Sequence, residues 1–364
     1  MNLGMILIWL AFVCGAGATI CSIRYYTASD HRARALSKKL ELLCTASITA
    51  SVIILLIHLL SVNASYEYVF SHSSTDLSWF YRISAFWAGQ EGSLLLWTWS
   101  ILVMLLLLRY TGYTKQLAET RIMDLTTIVS MAIASVFLIL LVIDNPFSAF
   151  RVLPSGAIEP TNWNPFAALY NVPYGQGMNP LLRNPWMAVH PPVLFLGYAA
   201  FTFPFAAAIG NLITKDERWT LIARDWMRIA WLFLTLGIGL GGFWAYEVLG
   251  WGAWYWTWDP VETSSLIPWI TSTAYLHAQT RAKHGEYGFL APLLAVASFI
   301  LVIFATFVTR SGIWASVHSW QDFTTEGLVI AIFLVLLTLC SVFLLGRRYL
   351  EDENAPRESE EELS

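Results

Sequence analysis

Charge is scarce in this sequence. Only 13% of its 364 residues are Asp, Glu, Lys or Arg, whereas 57% are hydrophobic, a balance that excludes an ordinary water-soluble globular domain. Cysteine is also scarce: Cys14, Cys21, Cys44 and Cys340 form no Cys-x-x-Cys pair, so the chain carries neither a thioether haem-attachment motif nor a thiol relay of the usual spacing. The four read as packed apolar residues inside helices. No Lys or Arg precedes the first apolar run, which therefore reads as a retained helix with its N-terminus outside rather than a cleaved signal peptide. No alternating β-barrel pattern and no fixed-period repeat is present, and no nucleic-acid partner is expected.

Long apolar runs are abundant. A bilayer core about 30 Å thick needs roughly 20 apolar residues per crossing. The runs meeting that need are 3–23, 40–62, 92–108, 122–143, 193–213, 229–249, 260–280, 289–308 and 328–346. The expected fold is an all-α polytopic membrane protein of about nine transmembrane helices, forming one membrane domain over 1–346. Of the 21 Lys and Arg residues, only Arg82, Arg151, Arg183 and Arg310 fall in the segments that follow even-numbered spans. Cytoplasmic loops retain positive charge, so the N-terminus is expected outside and the C-terminus inside an inner (cytoplasmic) membrane. The acidic tail 347–364 is then a cytoplasmic, disordered segment.

The outer segments are the long ones. The stretch 144–190 holds seven of the fourteen prolines and reads as an ordered loop crown. Near it, six of the eighteen tryptophans fall between Phe243 and Trp269. An interfacial aromatic belt needs only one or two such residues per helix end. Trp251, Trp254 and Trp258 recur at spacings of three and four, and a short interfacial Trp-rich helix over 250–262 would place them on one face, with Trp256 beside them, as an apolar shelf suited to a porphyrin. Asp259 serves either as an acid of that site or as an N-cap, with Pro260 at the first helical position and Glu262 three residues after the cap.

His190 stands before the fifth span, where Pro191 is expected to keep it out of the α region, at a helix mouth that favours a neutral ring. His318 follows Trp314 on the same side. Each alone fits a loop hydrogen bond; flanking a tryptophan shelf, the two point to paired axial ligands of haem iron. His277 lies within the seventh span, where an ionisable residue marks either a buried b-type haem or a hydrogen bond to a neighbouring helix. His58, the remaining histidine within a span, differs from it in depth by more than ~10 Å at 1.5 Å per residue, leaving any second ligand outside this chain. Arg82, Arg183 and Arg310 are suited to the carboxylates of haem propionates or to loop ion pairs.

Taken in order, SHSSTDLSWFYRISAFWAGQEGSLLLW, MAVHPPVLFLGYAAFTFPFA, LGWGAWYWTWDPVE and TFVTRSGIWASVHSW resemble segments of the haem-handling "WWD" family, and within it the CcmF-type haem lyase subunits of cytochrome c maturation. The resemblance runs from about Ser61 to Trp320. It implies that His190 and His318 ligate substrate haem, that His277 ligates a structural haem b, and that haem vinyl groups are joined to the Cys-x-x-Cys-His thiols of apocytochrome c. A haem chaperone and other maturation proteins are the further partners it implies. Two departures stand out: Gln90 replaces the family's usual histidine, and the chain lacks the usual C-terminal extension with the second haem b ligand, so a second membrane subunit is expected to supply it. The alternative is a haem transporter that loads a chaperone without lyase activity; the motif around Glu91 and the nine spans argue against it. An ion- or quinone-coupled subunit would bury several charged residues along a membrane path, whereas the spans show one histidine and little else.

Overall fold

The computed structural model describes residues 2–111, 116–152, 155, 158–161, 175–248, 255–282, 289–316 and 325–353. Among them, nine helices of 21 residues or more form an antiparallel bundle: α1 (Leu3–Ala28), α2 (His31–Ser61), α5 (Gln90–Tyr110), α6 (Arg121–Ile143), α7 (Pro185–Thr214), α8 (Trp219–Val248), α9 (Pro260–Ala282), α10 (Leu290–Arg310) and α11 (Thr325–Glu353). In a bilayer every backbone polar group must be paired within the segment, which is why each apolar run is helical. Eight of the nine are long and apolar enough to cross a membrane, so the chain is an integral membrane protein. The ninth, α9, is more polar, and its polar groups are bonded to its neighbours. Thr273 accepts from Trp231 of α8 at 2.8 Å, and Thr271 accepts from Ser298 of α10 at 3.1 Å.

Local signals set the ends. Asn2, Asp30, Thr120 and Asn184 accept backbone N–H bonds as N-caps, and Ser29, Val62 and Lys215 close helices in the left-handed conformation. Helix α7 is the central element, packed on α5, α6, α8 and α10. It buries Phe201, Phe203 and Phe205, and Trp97 of α5 packs on its Tyr198. Helices α1 and α2 form a hairpin at one flank, and α11 lies at another with Leu339, Val342 and Phe343 exposed, as a lipid-facing helix requires.

One end of the bundle carries a crown. It consists of α3 (Glu67–His72), α4 (Trp79–Ser84), a 3-10 turn at Ala85–Trp87, the antiparallel hairpin β1 (Ala149–Val152) with β2 (Ile158–Thr161), and a 3-10 turn at Pro180–Leu182.

Four expectations change. Tyr255–Asp259 is not helical, and Trp258 has φ of +60°, a left-handed residue that breaks any helical face shared with Trp251 and Trp254, both of which lie outside the described residues. Helix α7 starts at Pro185, so His190 is helical despite Pro191 and Pro192; the Asn184 cap and a proline at the first helical position outweigh the following-proline preference. Helix α11 continues through Glu353, past the expected end of the last span, and 354–364 lie outside the described residues.

The fourth concerns charge. The spans carry more buried charge than the one histidine expected, and that histidine, His277, is itself exposed: Glu41, 1% exposed, is ion-paired with Arg109, and Arg34 lies 3.8 Å from Asp124, all at the end opposite the crown. Removing one partner of such a pair strands the other. Arg109→Met is expected to cost about 3–5 kcal/mol, and adding Glu41→Leu to recover much of it, read from denaturant titrations in detergent micelles. Equal stability of the single and double variants would contradict this coupling.

Candidate functional site

Where the crown meets the bundle, three walls enclose a cavity of about 460 Å³. The first wall comes from α3 and the start of α5, with His72, Trp87, Gly89 and Ser93. The second is α7 with α8, contributing Met187, His190, Leu194, Ile238, Gly241 and Trp244. The third is Trp256 with the first turns of α9, closed below by Thr306, Thr309 and Arg310 of α10.

His190 is fixed from behind. Its Nδ1–H donates to the carbonyl of Gly237 at 2.6 Å, which assigns the lone pair of the neutral ring to Nε2. Its ring edge lies against Gly241, where a Cβ would come within 2.7 Å of Cε1, so α8 needs a glycine there for the imidazole to fit. The glycine-rich stretch of α8 thus supplies both the carbonyl and the space. Tyr255 crosses the same stretch, its hydroxyl donating to the carbonyl of Gly239.

Trp256 lines the cavity; Trp258 does not, being 68% exposed and packed edge-on against Trp256 at 6.1 Å. Asp259 Oδ2 accepts from the Val261 N–H at 3.0 Å, which is the capping role, and also from the Ser316 hydroxyl at 2.7 Å. It therefore ties the start of α9 to the segment leading to His318, which itself lies outside the described residues. Glu262 reaches back past the cap and accepts from the N–H of Thr257 at 3.1 Å, holding the irregular segment in place.

The three arginines separate. Arg310, 3% exposed, lines the cavity and donates to Glu326 at 2.8 Å, to the Ser93 hydroxyl at 2.7 Å and to the Gln90 carbonyl at 3.2 Å. Arg183 donates to the Met178 carbonyl at 3.0 Å and to Asp76 at 3.2 Å. Arg82 donates to the carbonyls of Leu77, Leu60 and Thr75 and fastens the crown to α2. Neither Arg82 nor Arg183 lines the cavity. His277 is on the exposed face of α9, away from it, and His58 packs edge-on against Tyr66 at 4.8 Å.

Reasoning from sequence missed His72 on the first wall. It also missed the carboxyl group of Asp144, which follows α6. Burial pushes the Asp144 carboxyl well above the carboxylate range; nearby Glu91 and Glu326 push the same way, and Arg310 opposes them. Nothing local in the sequence joins these residues, because they come from four different helix ends.

Residues 87–318 match the model of the cytochrome c assembly protein family. The chain is 37% identical over 316 residues to the cytochrome c-type biogenesis protein CcmF of Haemophilus influenzae, covering 85% of this chain and 46% of that protein. It is 34% identical over 327 residues to the CcmF protein of Escherichia coli, covering 88% and 47%. A solved structure of the cytochrome c heme lyase CcmF superposes with a TM-score of 0.71 at 27% identity, over 95% of this chain and 51% of its own. The chain spans about half the length of these relatives.

A raised carboxyl pKa carries a definite sign. Folded Asp144 keeps its proton to higher pH than the unfolded chain, so its contribution to stability is full below the ordinary value of 3.8 and declines as pH rises toward the raised one. The thermal midpoint of the protein in detergent is expected to fall between pH 5 and pH 9, and Asp144→Asn to flatten that fall. An Asn variant with an unchanged slope would show that Asp144 is not the group responsible.

Proposed function

Because this chain belongs to the cytochrome c assembly protein family, we propose that it is a haem lyase subunit of cytochrome c maturation, holding substrate haem in the outer cavity while it is joined to apocytochrome c. The observation that carries this reading is the position of His190, pinned through Nδ1 on the wall of an aromatic cavity large enough for a cofactor-sized ligand. The chain lies in the cytoplasmic membrane with the crown on the outer face. Arg34, Arg109, Arg218 and Arg347 at the opposite helix ends support that orientation.

Residues 1–346 act as one membrane domain and the acidic tail is cytoplasmic. His190 and His318 are the axial ligands, and Trp251, Trp254, Trp256, Trp258 and Asp259 make up the outer haem-holding segment. Asp259 acts there through its two hydrogen bonds, keeping Trp256 and the His318 segment in register. Arg310 presents a guanidinium to the cavity for a propionate, and Arg183 and Arg82, in the crown, are the further candidates for propionate contacts. Each attachment adds a thiol across a vinyl group: the S–H bond and the vinyl π bond break, a carbon–sulfur bond forms at the inner vinyl carbon, and the thiol hydrogen ends on the terminal vinyl carbon. The protein's contribution is to hold the two reactants in position, which is worth several kcal/mol when the reacting atoms are aligned.

His277 takes a separate part. Its ring projects from the bundle on α9, as expected of a ligand to a structural haem b whose other ligand comes from a second membrane subunit. A haem chaperone and other maturation proteins deliver the two substrates.

Haem content by pyridine haemochrome and absorption spectra of the purified protein test this. His190→Ala is expected to lower outer haem binding by at least about tenfold, the loss of roughly 1.4 kcal/mol or more, while leaving the His277 haem in place; His277→Ala is expected to do the reverse. An unchanged spectrum in His190→Ala would overturn the assignment.

A further inference from the structure

The cavity offers a second imidazole with the same preparation as His190. His72 is the last residue of α3, on the wall made by α3 and α5, whereas His190 is on the wall made by α7 and α8. Its Nδ1–H donates to the Tyr68 carbonyl at 2.9 Å, which leaves the lone pair on Nε2. Among the described residues the ring's hydrogen bond is the one at Nδ1, and Nε2 lies beside Gly89 on the cavity wall.

The ring is held rigidly. It stacks on Tyr68 with centroids 4.3 Å apart and planes 22° apart. The Tyr68 hydroxyl is in turn fixed between the carbonyls of Ala85 and Phe86, at 3.0 and 2.9 Å, and the N–H of Gly89, at 3.0 Å. A Cβ on Gly89 would come within 2.7 Å of Nε2, so the glycine keeps that nitrogen clear. Burial also holds the ring neutral by pushing its pKa down. A half-buried imidazole with one nitrogen pinned on a carbonyl and the other clear is the arrangement metal-binding histidines adopt. A histidine serving only to pack would gain nothing from leaving Nε2 without a partner.

We propose that His72 is an iron ligand of the outer cavity, binding haem there together with His190 when His318 is not engaged. The inference rests on the haem reading of the cavity. It assigns the chain two alternative partners for His190: one on the fixed wall of the bundle and one on the segment tied to Asp259. Haem could then be received on the first and presented to the apoprotein on the second.

The test uses the full chain in detergent, loaded with haem, in a His277→Ala/His318→Ala background so that only the outer haem with its remaining ligands is read. The expected ferric spectrum is low-spin and six-coordinate by absorption and electron paramagnetic resonance. Adding His72→Gly is expected to convert it to high-spin, and millimolar imidazole to restore it. Restoration also demonstrates that the variant is folded. His72→Met is expected to give a low-spin species with altered g-values. A high-spin background, or a low-spin spectrum indifferent to His72, overturns the proposal and leaves the haem reading intact. A wild-type chain that takes up no outer haem overturns both.

Discussion

The hydrogen bond from His190 Nδ1 to the carbonyl of Gly237 joins α7 to α8 where the bundle opens into the crown. Carbonyls inside a continuous helix are normally committed to their own ladder. One that also accepts from a neighbouring side chain requires the two backbones to approach closely. The glycines of α8 allow it: a Cβ on Gly237 would press on Leu194, and one on Gly241 on His190 itself. From that contact follow the tautomer of the ring, the direction of Nε2 and the width of the cavity between the α7–α8 wall and the wall formed by α3 and α5.

Charge is organised around the same opening. Arg310 is a buried cation shared between the cavity and the carboxyl groups at the ends of α5, α6 and α11. One cation facing several carboxyl groups favours retention of a proton among them, and burial, followed by the nearby Glu91 and Glu326, pushes Asp144 toward its protonated form. At the other end of the bundle Glu41 and Arg109 neutralise one another. The protein thus keeps ionisable groups at both membrane faces while the middle of the bundle is filled by aromatic packing on α7.

Much of this was legible in the sequence. Eight of the nine runs correspond to helices long and apolar enough to cross a membrane, where hydropathy and backbone pairing dictate the same answer, and the ninth to the more polar α9. His190 and Trp256 were picked out by residue type and context and line the cavity, and Asp259, picked out by its cap signal, caps α9. What the sequence concealed was set by tertiary contact. The positive φ of Trp258 removes it from a shelf that spacing alone had placed it on. The helical conformation of His190 depends on a cap six residues earlier. His72 and Arg310, more than two hundred residues apart, line one cavity because the start of α5 is bonded to the end of α10 through Arg310.

The most direct measurement is an electron cryomicroscopy map of the chain purified with its haem. Porphyrin density between the walls carrying His190, Trp256 and Gly89, with the iron within bonding distance of His190 Nε2, is the predicted result. An empty cavity in a haem-replete sample, with all porphyrin density on the outward face of α9 around His277, would contradict it.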